Sequence, residues 1–494
     1  MQADVAIVGY GPVGASLANL LGQAGFKVLV YEREAAVYPL PRAIHFDGEV
    51  MRVFCAIGLK REIEAVARPG VKNMAFVNAD NKLLLTRGGA SLEGPHGCAN
   101  NHYFHQPALE AVLRRGVERY ANVTILTRHE VQTIAHHADR AVLSVENMAD
   151  GSLAKVSVRY VVGCDGARSL VRRLMGSGME DLGLHQPWLV FDAFLKRPVE
   201  HLPDHTVQHC DPARPVTYCH VSDNRRRWEI MLMPGDDVQS VAQPDNVWKL
   251  VSRWITPQDA EIERAVVYTF HSVLARGWRK GRLLIAGDAA HQTPPFLGQG
   301  MCAGIRDAAN LAWKLAAVLR AEAHDRLLDT YETERSPHVR AFIDLAVRLG
   351  SIIQTTDPAV AAERDRKFVA SPEVFSFPQP GLGPGLQERA TPHAGSIFAQ
   401  PLLLDGRWLD AVLGSRFGLL LRAGFAAAPF PQACVLAATP GDALDAALES
   451  LGVAAVLLRP DRYIFGSALN DAGIARLQQT LQEQLASARG AVVL

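Results

Sequence analysis

Two glycine-rich segments carry the strongest chemical signal in the sequence. The first, Gly9 to Gly14, follows an apolar stretch and precedes a segment with helical periodicity. Glycines at this spacing allow a tight turn, a close approach of the backbone to a pyrophosphate, and packing of the helix on the strand. Glu32 ends the next apolar strand, where a carboxylate can accept hydrogen bonds from ribose hydroxyls. This segment predicts a dinucleotide site but does not distinguish FAD from NAD.

The second segment, Gly287 to Gly300, separates a short apolar strand from a strongly helical stretch. Asp288 at the strand end can accept hydrogen bonds from sugar or ribityl hydroxyls. Gly298 and Gly300 can expose backbone N–H groups at a helix start, whose positive end suits the negative charge of a reduced flavin. A dinucleotide that contacts two such distant segments fits FAD better than NAD, so the sequence favours FAD.

The intervening sequence predicts the elements that position these turns. Residues 4–32 indicate a strand–helix–strand unit of a Rossmann-like α/β domain. Residues 185–270 contain short β-forming runs between Pro and Asp turns, which indicates an inserted, mostly antiparallel sheet. The predicted divisions are a first FAD-binding part, a substrate-binding sheet, a second FAD-binding part with its helices, a linker rich in Pro, Gly and Ser, and a small α/β domain. Their bounds are 1–180, 181–268, 269–354, 355–395 and 396–494.

Composition excludes several classes of protein. The chain has 494 residues, 51 basic and 51 acidic residues, 48% hydrophobic residues and 21% charged residues. This is ordinary globular composition, and the balanced charge argues against a nucleic-acid or membrane-surface protein. The seven scattered cysteines include no CxxC pair, so we expect reduced thiols and no metal site. No secretory signal or membrane span is apparent, which predicts a cytoplasmic protein.

Three fingerprints resemble those of the single-component flavin aromatic hydroxylases, which share the para-hydroxybenzoate hydroxylase fold. They are the first glycine turn with Glu32, the run Cys164–Ser169, and the segment from Gly287 to Met301. Flanking stretches, including Pro41–Ile44 and Arg459–Tyr463, are similar to the branch of 3-(3-hydroxyphenyl)propionate hydroxylases and phenol hydroxylases. The resemblance covers nearly the whole chain and implies that the last hundred residues are thioredoxin-like. That part contains only Cys434, so we expect an assembly or packing role for it and no disulfide chemistry.

The resemblance also implies which residues hold FAD. Glu32 and Arg33 would bind the adenosine end, Arg42 the pyrophosphate, Gln106 the flavin and Asp288 the flavin chain. Asp165 belongs to a motif that the resemblance links to both FAD and the pyridine nucleotide; the alternative is that it caps a strand-to-helix turn. The full set of predicted cofactor residues is Gly9, Gly11, Pro12, Val13, Gly14, Glu32, Arg33, Arg42, Gln106, Asp165, Asp288, Pro295, Gly298, Gly300 and Met301. No second glycine fingerprint is present, so NADH or NADPH would bind only transiently.

The implied reaction is hydroxylation of a phenolic ring by O₂ and NAD(P)H through a C4a-hydroperoxyflavin. The substrate pocket should lie between the flavin and the antiparallel sheet. Candidate catalytic residues are His220, Tyr218, His45 and Asp47. Candidate substrate contacts are Trp188, Phe191, Gln208, Met231, Pro294 and Phe296. His220 or Tyr218 could relay the phenol proton.

Alternatives to this substrate remain open. His45 and Gly48 depart from the residues expected in the propionate hydroxylases, which puts a propionate side chain in doubt. The alternatives are a hydroxylase of a larger bicyclic, heteroaromatic or polyketide-type ring and a flavin-binding scaffold without turnover. The expected assembly is a monomer or homodimer.

Overall fold

The computed structural model describes residues 2–222, 224–375 and 378–487. The strands, in chain order, are β1 Ala3–Val8, β2 Val28–Glu32, β3 His45–Asp47, β4 Ala67–Pro69, β5 Met74–Val77, β6 Leu83–Arg87, β7 Asn101–Phe104, β8 Val123–Thr127, β9 His129–His136, β10 Ala141–Asn147, β11 Ser152–Gly163, β12 Met179–Leu195, β13 Val207–His209, β14 Val216–Ser222, β15 Arg225–Met231, β16 Ala260–Ala275, β17 Arg279–Lys280, β18 Leu283–Ile285, β19 His291–Gln292, β20 Glu373–Phe375, β21 Phe417–Leu421, β22 Ala433–Ala437, β23 Ala455–Leu458 and β24 Ile464–Ala468.

The helices are α1 Pro12–Gln23, α2 Gly48–Ala56, α3 Lys60–Glu64, α4 Gln106–Val117, α5 Leu170–Met175, α6 Pro244–Val251, α7 Gly300–Leu319, α8 Thr330–Ile353, α9 Pro358–Ala370, α10 Leu409–Leu413, α11 Ala443–Ser450 and α12 Asp471–Ser487. Short 3-10 turns occur at Gly287–Ala289, Pro295–Leu297 and Asp325–Asp329.

The FAD-binding half is built on an eight-stranded sheet with a parallel centre. β1 lies between β2 and β11, β2 also pairs with β8, and β11 also pairs with β18. The side chains of β1 are buried on both faces, as expected of a parallel strand covered by helices. α1 and α7 pack against each other. This arrangement brings the carboxyl ends of β1 and β18, and therefore both glycine segments, to one edge of the sheet. The predicted Rossmann-like domain is confirmed.

The second sheet has nine strands in the order β19-β16-β12-β15-β14-β13-β5-β6-β20 and is mostly antiparallel. One of its faces packs Leu189, Phe191 and Trp228 with Val247 of α6. The opposite face packs Trp188 and other apolar side chains against α8 and looks toward the FAD-binding half. The antiparallel insertion is thus confirmed, although β5 and β6 come from before the predicted segment and β16 extends past its end.

Two local expectations differ from the structure. Residues 355–395, predicted as a linker, include helix α9 and strand β20, which pairs with β6. Asp357 explains the helix, since its carboxylate accepts from the N–H groups of Ala359 and Val360. A proline inside a helical stretch predicts a kink or a restart there, and α8 continues through Pro337 as one helix without a restart.

The C-terminal residues form a separate four-stranded sheet in the order β22-β21-β23-β24. Helices α10, α11 and α12 accompany it, and Leu420, Leu448 and Val456 lie in its own buried cluster. We call residues 396–487 the C-terminal unit. Its thioredoxin-like character stays a prediction.

Candidate active site

A cavity of about 340 Å³ lies where the parallel sheet faces the antiparallel sheet. Its walls come from the two glycine segments, the chain around Arg42, and one face of the antiparallel sheet. The lining residues are Gly11, Pro12, Val13, Arg42, Ala43, Ile44, His45, Met74, Arg87, Tyr103, Gln106, Cys164, Gly166, Thr206, Gln208, Thr217, Cys219, Arg227, Glu229, Thr269, Phe270, His271, Ala286, Asp288, Gln292, Thr293, Pro295, Leu297, Gly298, Gln299, Gly300 and Met301. The predicted FAD segments and part of the predicted substrate sheet therefore meet.

The first glycine turn has the shape that a phosphate requires. A Cβ on Gly14 would lie 2.1 Å from the carbonyl oxygen of Gly9, so the turn closes only with glycine there. A Cβ on Gly11, in contrast, would meet nothing within 4 Å, because this residue faces the cavity. Glu32 lies beside the turn and accepts from the backbone N–H of Tyr10 at 2.8 Å. The turn leaves room for a pyrophosphate next to an acidic ribose-binding position.

The second segment supplies a carboxylate and a helix start. Asp288 is exposed, lines the cavity, and makes no hydrogen bond with another described residue. Gly298 adopts φ of 64°, and a Cβ on Gly300 would meet nothing within 4 Å. Helix α7 begins at Gly300, so its first N–H groups are directed toward the cavity. These features fit the flavin end of FAD.

Among the predicted cofactor residues, Asp165 and Arg33 lie outside the cavity lining, and Gln106 lines the cavity while its side chain is engaged by the protein. The carboxylate of Asp165 accepts from the Ser169 hydroxyl and from the N–H of Leu170, so it caps the turn into α5 and does not face the cavity. The Gln106 side-chain oxygen accepts from the N–H groups of Arg42 and Ala43, so Gln106 orients that chain.

Arg33 is exposed beside Glu34, with the Nε to carboxylate distance at 3.3 Å, and lies outside the cavity. The backbones of Gly9 and Gly14 lie behind the lining and shape the turn.

The predictions for Tyr218 and His220 are wrong, because both lie on the far side of the sheet. Successive residues of a strand face opposite sides, and Thr217 and Cys219 of β14 line the cavity. The Tyr218 hydroxyl donates to the carbonyl of Pro203 at 2.7 Å, and its ring packs edge-on against Trp228. Neither side chain can reach a substrate in the cavity.

The prediction of Asp47 as a catalytic residue is also wrong, because both oxygens of its carboxylate accept hydrogen bonds from protein groups. It accepts from the N–H of Val50 at the start of α2, from Gln299 and from the Arg306 guanidinium. Burial alone would raise the pKa of Asp47, but Arg306 lowers it to about 2. Asp47 is therefore a permanent anion in an ion pair.

His45 does line the cavity, as predicted. Its Nε2 lies 3.0 Å from the side-chain oxygen of Asn101, and its ring meets Tyr103 edge-on. Burial, followed by the neighbouring Arg87, lowers the pKa of His45 to about 4. The imidazole is neutral near pH 7 and can exchange hydrogen bonds with a ligand but brings no charge.

Most of the aromatic side chains predicted to line the substrate pocket lie one layer behind the cavity wall. Trp188, Phe296 and Met231 belong to the apolar cluster behind the cavity wall, where the Trp188 and Phe296 rings meet at 5.6 Å. Phe191 faces the α6 side, as its position in β12 dictates, so its prediction is wrong. Pro294 also lies outside the lining, whereas the predicted Gln208 is part of it.

Several lining residues were missed by the sequence argument. Arg87, Tyr103, Glu229 and His271 all contribute to the cavity wall. Burial raises the pKa of Glu229, and among the described residues its carboxyl group makes no hydrogen bond. Arg227, 3.8 Å from Glu229, is instead paired with Asp192 at 2.7 Å. Only the alternation of β15, with Arg227 and Glu229 on one face, could have signalled this wall.

A histidine pair extends from the cavity toward solvent. The Nδ1 atoms of His271 and His185 lie 2.7 Å apart, across the paired strands β12 and β16. The Nε2 of His185 lies 2.7 Å from an oxygen of Asp181, whose side chain is 61% exposed. A continuous set of titratable groups thus joins the cavity to the surface.

The comparisons with known proteins agree with this geometry. Residues 2–346 match the family model described as "FAD binding domain". The chain belongs to this FAD-binding family. It is 40% identical over 405 residues to a "Probable NADH-specific resorcinol 4-hydroxylase" from Rhodococcus jostii (strain RHA1), which covers 81% of this chain and 75% of that relative.

A second relative is the "3-(3-hydroxy-phenyl)propionate/3-hydroxycinnamic acid hydroxylase" of Mycolicibacterium gilvum (strain PYR-GCK). It is 38% identical over 439 residues, covering 85% of this chain and 75% of that relative. Among solved structures, the flavin-dependent monooxygenase PieE matches with a TM-score of 0.81 and 21% identity, over 98% of this chain and 99% of PieE. Aklavinone-11 hydroxylase matches with a TM-score of 0.80, 22% identity and the same coverage. These two structures support the fold.

The family makes this protein an NAD(P)H-dependent flavoprotein hydroxylase with FAD as its cofactor. In the part of the chain that the structure describes, no helix is both long and apolar enough to cross a membrane.

Proposed function

We propose that this protein uses FAD, NADH and O₂ to hydroxylate a small phenol, with a dihydroxybenzene such as resorcinol as the leading candidate substrate. The observation that carries the proposal is the cavity itself, because the FAD-type glycine segments face a wall of small polar side chains there. FAD, when bound and reduced by NADH, would activate O₂, of which one atom enters the ring and the other leaves as water.

The cofactor residues that the geometry supports form two groups. Gly11 and Arg42 would hold the pyrophosphate and Glu32 the ribose, while Asp288 would accept from the flavin chain. Gly300 and Met301 would donate N–H groups at the start of α7.

The sheet wall supports a substrate with a second hydroxyl group. Glu229, Gln208 and Thr217 lie together on it, and the Thr217 hydroxyl donates to Gln208 at 2.5 Å. A buried carboxyl group with a raised pKa can donate a hydrogen bond to a neutral hydroxyl and is a poor neighbour for a carboxylate. Arg87 on the same cavity supports the second candidate, a hydroxyphenylpropionate whose carboxylate would approach that guanidinium.

His271 is the proposed acceptor of the phenol proton. Asp181 is held ionised by the Gly183 N–H and by His185, which lower its pKa, so His185 donates from Nε2 and accepts at Nδ1. His271 must then donate from Nδ1, which leaves its Nε2 as a base. A proton taken at Nε2 is balanced by one passed through His185 to Asp181 and solvent.

Apolar side chains behind the wall would keep the reaction dry. Trp188 and Phe296 are at most 1% exposed and seal the cavity on the α8 side. Exclusion of water favours oxygen transfer over loss of reduced oxygen as H₂O₂. The prediction of a cytoplasmic monomer or homodimer stays a prediction.

The test is product formation by the FAD-loaded protein with NADH, using resorcinol, phenol and 3-(3-hydroxyphenyl)propionate. We expect a hydroxylated product from resorcinol with little H₂O₂, and a lower yield per NADH from the propionate. A higher yield from the propionate would favour the second candidate. Normal NADH oxidation without an oxygenated product from any phenol would refute hydroxylation of phenols.

A further inference from the structure

The FAD-binding helix α7 is connected to the C-terminal unit by a buried chain of polar groups. The chain starts at Gln299, the residue immediately before α7, which is fully buried and lines the cavity. Its side chain does not cap the helix. Instead, its Nε2 donates to Asp47 at 3.1 Å and its Oε1 accepts from Arg306 at 3.1 Å. The orientation of Gln299 therefore depends on these two charged residues.

Arg306 is the centre of this chain. Besides Asp47 and Gln299, it donates from Nε to Glu49 at 2.6 Å. Its side chain is 4% exposed, and it pairs with two carboxylates at once. Burial alone would lower the pKa of Arg306, but Asp47 and Glu49 raise it well above the ordinary value. One buried cation thus pairs with two partly buried carboxylates, those of Asp47 and Glu49.

Tyr463 of the C-terminal unit stabilises the Glu49 carboxylate by a hydrogen bond. Its hydroxyl donates to the second oxygen of Glu49 at 2.7 Å and lies 3.3 Å from Nε2 of His338. A second contact beside this one joins the C-terminal unit to α2: Asp410 pairs with Arg52 at 2.5 Å. Within the unit, Asp410 also pairs with Arg462 at 2.7 Å. A hydrogen bond to a charged acceptor inside a protein is stronger than one between neutral groups.

We propose that Tyr463 is a positioning residue for the FAD site: through Glu49 and Arg306 it fixes Gln299, and with it the first N–H groups of α7. This assigns to the C-terminal unit a role in the electrostatics of the flavin site beyond packing. The inference depends on FAD binding in the cavity and not on which phenol is hydroxylated.

The test uses the full-length protein with Tyr463→Phe, which keeps the ring and removes only the hydroxyl. We expect the FAD dissociation constant to rise threefold to tenfold. We also expect the flavin midpoint potential to become more negative, because reduction adds negative charge to the flavin while the dipole of the Tyr463 hydroxyl no longer offsets the charge of Glu49. Tyr218→Phe is the matched control: it also loses a buried hydroxyl donor, to Pro203, but lies outside this chain of contacts, so both values should stay as in the wild type.

Glu49→Gln provides an independent measurement. Removing this charge should make the potential less negative, and adding Tyr463→Phe to Glu49→Gln should cause no further change in potential. An unchanged FAD affinity and potential in Tyr463→Phe would overturn the proposal. A Tyr463→Phe effect that persists in the Glu49→Gln background would do so too, since Tyr463 would then act by another route. Should Tyr463→Phe fail to fold, an unchanged potential in Glu49→Gln alone overturns the proposal.

Discussion

The two sides of the cavity differ in how they obtain their chemistry. The FAD side works mainly through backbone: glycines at Gly11 and Gly300 leave open space, and helix starts direct N–H groups toward a ligand. The sheet side works through side chains that alternate between the cavity and the α6 core, as Thr217 and Tyr218 do. A backbone site is specified by residue type and spacing, whereas a sheet wall is specified by register. A shift of one residue exchanges the two faces.

The largest effect should come from the FAD side. Asp288→Ala removes an exposed, uncommitted carboxylate from the cavity, and the lost charge-assisted hydrogen bond is worth about 1.5–3 kcal/mol. FAD affinity, measured by titration of the apoprotein, should fall roughly tenfold to a hundredfold. Asp344→Ala, an exposed aspartate on α8 outside the cavity, is the control. Full FAD occupancy of Asp288→Ala at limiting FAD would show that the second segment does not hold the cofactor.

The next largest effect is a pH dependence of stability caused by His45, which lines the cavity between the FAD side and the sheet side. Its pKa falls from 6.5 to about 4 on folding, so the unfolded chain binds more protons between these values and stability decreases as the pH falls. Between pH 7.5 and pH 5 this group should cost about 2 kcal/mol of unfolding free energy. Urea unfolding at both pH values should show a smaller loss in His45→Asn than in the wild type. An equal loss in both proteins would mean that His45 is not buried in its neutral form.

A pair of histidine variants tests which face of the antiparallel sheet takes part in the reaction. His271→Gln removes the proposed base from the cavity and should slow hydroxylation at least tenfold, since general base catalysis typically contributes about 10²–10⁴-fold. His220→Gln, on the other face, should leave the rate unchanged. Added imidazole should restore part of the rate in His271→Gln, which a purely structural defect would not permit. Equal losses in the two variants would remove the distinction between the faces.

A smaller effect distinguishes neighbours within β14. Thr217→Val removes the hydroxyl that binds Gln208 and should raise the KM for the phenol a few-fold with little change in kcat. Tyr218→Phe loses its bond to Pro203 and should lower stability by about 1 kcal/mol while KM stays constant. Steady-state kinetics and thermal unfolding of both variants measure the contrast. A raised KM in Tyr218→Phe would place that side chain in the cavity after all.

This contrast explains what could be predicted from the sequence. The strand–turn–helix units and the positions of Gly11, Asp288 and Gly300 follow from short local patterns, and the structure brings them together. His45 was singled out because it departs from the residue expected in the propionate hydroxylases, and it lines the cavity. Tyr218, His220 and Phe191 were misplaced because their strands are largely buried on both faces and mix polar with apolar residues, so hydrophobic alternation gives no direction.

The roles predicted for Asp165 and Asp47 differ from the structure for another reason. A carboxylate at a turn can bind a ligand or cap a helix, and only the contacts to Ser169 and Arg306 decide between these roles. The link from Tyr463 to Glu49 joins residues far apart in the chain, so no local pattern could have indicated it.

In the cavity between the two sides, we expect one oxygen atom to pass from O₂ to a phenol. The most direct measurement is mass spectrometry of the product formed from resorcinol under ¹⁸O₂ with the FAD-loaded protein and NADH. With ¹⁸O₂, the product should carry one ¹⁸O atom. With unlabelled O₂ and H₂¹⁸O, it should carry none. A product that carries oxygen only from water, or the absence of product while NADH is oxidised normally, would contradict this expectation.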